Sequence, residues 1–176
     1  MAPPCLDFST GLSYPRRMDL PACFEHTWRA RAKLLAACEK LPRSAWRRKL
    51  PFAWKTLHGA FAHIIETELS WMWTDILGRP YAGGFDDGGR RYYWTPARTR
   101  ARARSVAAVT RGVLRSYAPN RLRETRRIPV FGGKGFQTVT VDQILTHVYT
   151  HELRHQGQIQ AAIRHLKRIP PNADWI

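Results

Sequence analysis

The segment that most constrains the fold is a long amphipathic stretch at residues 141–167. Its apolar residues recur every three to four positions, which is the spacing of one face of an α-helix. They are Ile144, Val148, Ile159, Ala162 and Leu166. Two gaps in this stripe are filled by His151 and His155. The pattern therefore predicts a helix that packs against a core and carries two imidazoles inward, one turn apart.

Helix boundary signals accompany this segment and other segments with helical periodicity. Thr140 and Gln143 form a capping box at the start of the last helix. Asp19 suits the N-cap of the first helix, and Gly78 followed by Pro80 is typical of a helix end. The predicted helices span residues 20–41, 52–77, 96–117 and 141–167.

Four long helices without a convincing series of strands predict an all-α fold, a four-helix bundle. A length of 176 residues fits one domain. We therefore predict an N-terminal arm at residues 1–18 and a single domain at residues 19–176. Long loops separate the second helix from the third and the third from the fourth. Aromatic residues 92–94 predict that the first loop packs back on the bundle, and residues 130–136 of the second predict a short hairpin or a flap.

Composition places the chain among globular proteins. Hydrophobic residues make up 44% of it, which is too many for a disordered chain. No stretch approaches the roughly 20 apolar residues of a membrane span, and the N-terminus lacks the layout of a signal peptide, so we expect no membrane and a cytoplasmic location. Cys5, Cys23 and Cys38 include no close pair, which argues against a disulfide framework or a thiolate zinc site.

The net charge is +16, and arginine supplies most of it. Such a charge favours association with polyanions and predicts non-specific affinity for nucleic acid. The densest basic run lies on the third predicted helix, at Arg98, Arg100, Arg102 and Arg104. The alternative for this run is a solvated helix face.

The histidine pair has the letters H-E-x-x-H, from His151 to His155, and two histidines at this helical spacing can bind one metal ion. In metalloproteases with this motif, the glutamate is a general base and a third ligand follows downstream. Here only His165 follows, in a basic tail, which disfavours that class. A catalytic zinc usually has three protein ligands. The best third ligand is His63 on the second predicted helix, because its helical neighbours are small.

Each inward histidine has an alternative role as a hydrogen-bonded core residue. Burying two imidazoles in an apolar layer without a metal would require several hydrogen-bond partners, so the pair favours a ligand role. His147 extends the row by one more turn. It is a candidate fourth ligand or, preferably, a residue of the pocket that supports the ligands.

The same two segments resemble the DinB/YfiT-like family of metal-binding four-helix bundles, and the similarity covers nearly the whole chain. In the second predicted helix, the family pattern His-Ile-x-x-x-Glu-x-x-Trp is matched by His63, Ile64, Glu68 and Trp71. In the fourth, residues 147–159 match His-x-x-x-His-Glu-x-x-His-x-Gly-Gln-Ile, which is the more specific pattern.

The resemblance implies that His63, His151 and His155 hold a divalent metal, zinc or nickel, with water in the open positions. It further implies a metal-dependent thiol S-transferase, which uses a low-molecular-weight thiol, or a hydrolase, in either case acting on a small molecule. A homodimer is also implied. Two alternatives stay open: a basic, nucleic-acid-associated stress protein with a structural metal, and a bundle that binds metal without catalysis.

Other polar residues of these helices are candidates for supporting roles. Glu68 is either an acceptor for the second N–H of a ligand histidine or a packed helix residue. Gln158 is expected to line the pocket or to bridge helices. Glu152 is rotated about 100° from His151 around the helix, which favours a structural pairing with an arginine or histidine over a role as catalytic base. Trp71 is expected in the core.

Overall fold

The structure is a computed structural model that describes residues 19–80, 95–130 and 133–172. The predicted N-terminal arm and the predicted packing of aromatic residues 92–94 lie outside the described residues.

α-Helices make up most of the described chain. They are α1 (Leu20–Glu39), α2 (Arg43–Trp46), α3 (Leu57–Ser70), α4 (Pro96–Ser116) and α5 (Val141–His165). A π-helical turn at Trp71–Ile76 extends α3, and 3₁₀ turns span Ala53–Lys55 and Arg121–Arg123. The described chain is therefore mainly helical, as predicted.

A β-hairpin between α4 and α5 departs from the all-α prediction. Strand β1 (Thr125–Pro129) pairs antiparallel with β2 (Phe136–Thr140), with Thr125 opposite Thr140. Of the two forms predicted for this stretch, the hairpin is the one observed. Most strand residues are exposed, and such short strands carry no clear alternation of apolar residues from which they could be predicted.

The predicted helix caps are present. The carboxylate of Asp19 accepts a hydrogen bond from the backbone N–H of Ala22 at 3.1 Å. The backbone N–H of Gln143 donates to the Thr140 hydroxyl at 3.1 Å, and the backbone N–H of Thr140 donates to the Gln143 side chain at 2.8 Å. Gly78, just beyond the π-helical turn, has a φ of +63°, which glycine adopts without the strain that other residues suffer.

Helix α3 begins at Leu57, later than predicted. Thr56 is its N-cap, because the Thr56 hydroxyl accepts a hydrogen bond from the backbone N–H of Gly59 at 2.8 Å. The two preceding residues, Trp54 and Lys55, have φ values of +38° and +62°. This left-handed backbone interrupts the helix on its N-terminal side.

The four long helices pack around one another. Helix α1 contacts α4 and α5, and α3 contacts the same two helices. Buried apolar side chains fill the space between them, among them Phe24, Leu35, Phe61 and Ile144, each at most 2% exposed. This packing brings α3 against α5, and the predicted metal ligands lie on these two helices.

The described cysteines are buried thiols. Cys23 and Cys38 are free, and burial raises the pKa of the Cys38 thiol to about 12. Within the described chain they form no disulfide.

No described helix is a candidate for a membrane span, because none combines the length and the apolar character that such a span requires.

Half of the basic run on α4 pairs with carboxylates of other helices. Arg100 forms an ion pair with Glu39 of α1. Arg102 donates two hydrogen bonds to Glu66 of α3, at 2.8 and 3.0 Å. These pairs connect α4 to its neighbours, so the run is only in part the solvated face considered from the sequence.

Candidate metal centre

Three histidine rings meet where α3 packs against α5. His63 lies on α3, and His151 and His155 lie one turn apart on α5. The ring centres are 4.8 Å apart for His63 and His151, 4.7 Å for His63 and His155, and 4.3 Å for the pair on α5. One ring nitrogen of each histidine lies within 4.8 Å of those of the other two. The structure therefore brings together the three residues proposed from helical spacing.

The donor atoms suit a divalent transition-metal ion. The Nε2 atoms of His63 and His151 are 2.9 Å apart. Two nitrogens that bind one zinc tetrahedrally, each at about 2.0–2.1 Å, are about 3.3 Å apart. The three histidines are thus close enough for one nitrogen of each to reach a shared ion, and imidazole suits zinc and nickel among other metals. Within the described residues, no second group of histidine, cysteine, aspartate or glutamate side chains has this geometry.

Burial keeps these imidazoles neutral, which is the form that binds metals. Burial, followed by the neighbouring His155, lowers the pKa of His63 to about 4 and that of His151 to about 3. Burial also lowers the pKa of His155, although a hydrogen bond to Gln158 opposes the shift. At neutral pH each ring therefore offers a nitrogen lone pair.

Polar side chains contact the outer nitrogens of two rings. The side-chain oxygen of Gln158 lies 2.7 Å from Nδ1 of His155. The hydroxyl of Thr67, one turn along α3, lies 3.4 Å from Nδ1 of His63. When Nδ1 carries the hydrogen and donates it to these oxygens, Nε2 keeps the lone pair for a metal. The pocket role expected for Gln158 thus rests on a direct contact with a ligand candidate.

Trp54 covers His63, a contact that helical spacing does not predict. The two rings stack with their centres 3.9 Å apart and their planes at 26°. Trp54 is 51% exposed, so its indole forms an outer wall of the site. Gly59 permits this position, since a Cβ there would lie 2.6 Å from the backbone carbonyl oxygen of Trp54. A glycine one turn before a ligand candidate was the available signal.

His147 lies beside the cluster and outside it. Its ring centre is 5.9 Å from that of His151 and 5.2 Å from that of Trp71. Its nitrogens are not part of the group of described ligand atoms that could share one ion. The position fits the preferred alternative, a pocket residue, and Trp71 packs against the apolar core beside it.

Comparison with known proteins identifies the family. The sequence model of the DinB family matches residues 16–176. The chain belongs to the DinB family. The match spans the four long helices and the three clustered histidines, and it confirms the resemblance drawn from the two histidine motifs.

A bacterial relative of this DinB-family chain matches it over most of its length. The uncharacterized protein YizA of Bacillus subtilis (strain 168) is 27% identical over 154 residues, which cover 87% of this chain and 91% of YizA. The match therefore extends over nearly the whole of both proteins.

A buried cluster of charges lies next to the histidine site of this DinB-family protein. Arg31 of α1 donates from Nε to Glu152 at 2.9 Å and from Nη2 to Glu68 at 2.5 Å. All three side chains are at most 4% exposed. Glu152 follows His151 directly in the sequence. Of these two adjacent residues of α5, His151 belongs to the histidine site and Glu152 belongs to the charge cluster. The structural pairing expected for Glu152 is thus observed with an arginine.

The contacts of Glu68 match the packed alternative considered for it. Its carboxylate also accepts hydrogen bonds from the indole N–H of Trp28 at 3.0 Å and from the hydroxyl of Thr110 at 2.6 Å. In the described part of the chain it makes no hydrogen bond to a clustered histidine. The sequence held a signal for this cluster, because Arg31 occupies a gap in the apolar stripe of α1 between Trp28 and Leu35.

Proposed function

We propose that this protein is a metal-dependent enzyme of the DinB family, a thiol S-transferase or a hydrolase that acts on a small molecule. The proposal rests on one observation, the convergence of three neutral imidazole nitrogens from α3 and α5 within 4.8 Å. We propose His63, His151 and His155 as the ligands and zinc or nickel as the ion. When bound, such an ion supplies Lewis-acid chemistry, because it lowers the pKa of a water or a thiol toward neutrality.

The protein's own residues would orient the ligands for this chemistry. Gln158 and Thr67 hold the outer nitrogens of two rings, which directs the inner nitrogens toward one point. The nearby carboxylates of Glu68 and Glu152 are bound by Arg31 instead. Neutral ligands leave the charge of an ion uncompensated, and this supports a catalytic role over a purely structural one.

Aromatic side chains would shape the substrate space. Trp54 stacks on His63, and Trp71 lies beside His147. Both indoles present apolar surface near the site, which suits a small organic molecule and limits the access of bulk water. Three protein ligands leave at least one position open on a four-coordinate ion. In a transfer, the thiol loses its proton to solvent, a sulfur–carbon bond forms as the bond between that carbon and the leaving group breaks, and the leaving group departs with the electron pair of the broken bond.

The test compares turnover by metal-free and metal-loaded protein. Thiol transfer is followed with glutathione or cysteine and 1-chloro-2,4-dinitrobenzene, and hydrolysis with p-nitrophenyl acetate. We expect turnover above the uncatalysed rate with zinc or nickel, and its loss in His151→Ala. The control is His165→Ala, which removes a histidine outside the cluster on the same helix. A fully loaded wild type that accelerates neither reaction would favour the alternative of metal binding without catalysis.

The arrangement of the four long helices supports a further part of the proposal. We propose that α1, α3, α4 and α5 form the four-helix bundle of DinB-like proteins, in a single domain at residues 19–176. A cytoplasmic location and a homodimer are also proposals. Cell fractionation and analytical ultracentrifugation test them.

A further inference from the structure

Arg154 lies on the face of α5 that carries the histidines. At about 100° per residue, it is rotated about 20° from His147 and about 60° from His151 around the helix axis. His151 and His155 are buried, whereas Arg154 is exposed. Arg154 therefore lies at the exposed edge of the helix face that carries the histidines.

The positive charge of Arg154 acts on the whole site. Burial is the main cause of the lowered pKa values of His63, His147, His151 and His155, and the charge of Arg154 contributes to each of these shifts in second place or later. Within the described ranges of the chain, no hydrogen bond or ion pair engages its guanidinium. The carboxylates of Glu68 and Glu152 are bound by Arg31. Arg154 thus adds a positive charge at the site without a neighbouring carboxylate to balance it.

A bound divalent ion would place a second uncompensated positive charge close to this guanidinium. Because like charges repel, an anionic group within reach of both positive charges would stabilise the site. A guanidinium pairs with a carboxylate through two parallel hydrogen bonds. The half-exposed indole of Trp54 adds apolar surface for the carbon skeleton that connects such a group to the reacting atom.

We infer that Arg154 determines ligand specificity by binding a carboxylate of the low-molecular-weight thiol, so that this protein uses a small thiol acid. This inference rests on the proposed function, because the sulfur must bind a metal held by the three histidines. It extends that function by naming the chemical class of the thiol and the residue that selects it.

The test measures the binding of three thiols of similar size to cobalt(II)-loaded protein. 3-Mercaptopropionate is anionic, 2-mercaptoethanol is neutral and cysteamine is cationic. The sulfur-to-cobalt charge-transfer absorption reports binding without turnover. Arg154→Gln removes the charge. Arg154→Lys keeps the charge but lacks the planar guanidinium that pairs with a carboxylate through two hydrogen bonds. Arg164→Gln is the matched control, because it removes an equal charge from another exposed position of α5.

We expect Arg154→Gln to weaken the binding of 3-mercaptopropionate about fivefold, which is the effect of losing an exposed ion pair. 2-Mercaptoethanol should bind about as before, and cysteamine as before or more tightly. Arg154→Lys should lose less affinity for 3-mercaptopropionate than Arg154→Gln does. Arg164→Gln should leave the affinity for all three thiols unchanged. Equal losses for all thiols in Arg154→Gln, or the same selective loss in Arg164→Gln, would overturn the inference alone. If no thiol produces the absorption band in loaded wild type, the thiol-transferase proposal fails and the inference fails with it.

Discussion

At the scale of single residues, the candidate site depends on which nitrogen of each imidazole carries the hydrogen. Gln158 and Thr67 place oxygens beside Nδ1 of His155 and His63. The Gln158 oxygen can only accept, so its contact favours the tautomer of His155 whose Nε2 lone pair is free to bind an ion, whereas the Thr67 hydroxyl can donate or accept. Gln158 therefore prepares His155 before a metal binds, and its removal should weaken binding without removing a ligand.

Gln158→Leu tests this preparation. The substitution keeps similar bulk and removes the acceptor at Nδ1 of His155, so we expect the affinity for zinc to fall about 10- to 100-fold. Competition with a chromophoric chelator measures the affinity. Gln160→Leu, which lies about 180° from His151 around the same helix, is the control and should bind zinc like the wild type. Equal affinities for the two variants would contradict a role of Gln158 in the site.

The neutral histidines also make the stability of the metal-free protein depend on pH. The pKa values of His63 and His151 in the folded chain, about 4 and about 3, lie below the ordinary value of 6.5. As the pH falls below 6.5, the unfolded chain therefore binds protons that the folded chain does not. The contribution of the two neutral rings to the free energy of unfolding is fully present above pH 6.5. It is lost progressively as the pH falls toward the pKa values of these rings in the folded chain.

Urea unfolding of the metal-free protein at about pH 7 and about pH 5 measures this effect. We expect a lower free energy of unfolding at the lower pH, and a smaller difference in His151→Asn, which removes one of the two strongly shifted groups. Most carboxylates stay ionised over this range and contribute little. An equal pH dependence in the wild type and in His151→Asn would contradict burial of a neutral ring at this position.

At the scale of the elements, the turn before α3 positions the outer wall of the site. Trp54 and Lys55 have left-handed backbone, and the carbonyl of Trp54 lies close above Gly59. This close approach holds the indole over His63. The turn and the first residues of α3 therefore act together, and glycine is the residue that allows their contact.

Gly59→Ala should push the turn away from α3. The added Cβ would lie 2.6 Å from a backbone oxygen, and such overpacking costs about 1–3 kcal/mol, which exceeds the roughly 0.5–1 kcal/mol that alanine contributes in a helix. Urea unfolding should show a net loss of stability. Gly112→Ala on α4 is the matched control, because nothing lies within 4 Å of its added Cβ, and it should stabilise by about 0.5–1 kcal/mol. Equal changes in the two variants would show that the contact with Trp54 is unimportant.

Elements with strong local signals could be predicted from the sequence. The cap at Asp19 and the capping box at Thr140 mark helix starts through side-chain hydrogen bonds to neighbouring residues, and these interactions are local. The start of α3 and the bounds of the two hairpin strands could not be located, since a left-handed turn at Trp54 and short exposed strands leave no apolar period. Helical periodicity identified the elements but could not place such interruptions.

The candidate site could likewise be predicted only in part. The pair His151 and His155 follows from the spacing of one helix, and His63 followed from its small neighbours on another. The stacking of Trp54 on His63 and the pairing of Arg31 with two glutamates depend on how separate helices pack. Sequence periodicity shows which residues face inward but not which of them meet.

At the scale of the whole molecule, a single buried arginine connects three helices. Arg31 of α1 binds Glu68 of α3 and Glu152 of α5. Gln156 of α5 extends the network to α1, because it donates to the backbone carbonyl of Thr27 at 2.8 Å and to Glu152 at 2.7 Å. The cluster lies among the same helices as the candidate metal centre, so it fixes their relative positions beside the site.

Arg31→Leu should destabilise the protein by about 3–5 kcal/mol, because two buried carboxylates lose their cation. The triple variant Arg31→Leu, Glu68→Gln and Glu152→Gln should recover part of this loss, since it leaves no buried charge unpaired. Chemical denaturation measures both values. Arg29→Ala, at an exposed position of α1, is the control and should change stability by less than about 0.5 kcal/mol. A triple variant no more stable than Arg31→Leu would contradict the electrostatic explanation.

The convergence of three imidazoles on one ion is tested most directly by the metal content of purified protein. Elemental analysis should find about one equivalent of zinc or nickel per chain in wild type purified without chelators. His63→Ala, His151→Ala and His155→Ala should each lose most of this metal, whereas His165→Ala should retain it. A wild-type chain without bound metal, or a His151→Ala variant that keeps a full equivalent, would contradict a metal centre at these histidines.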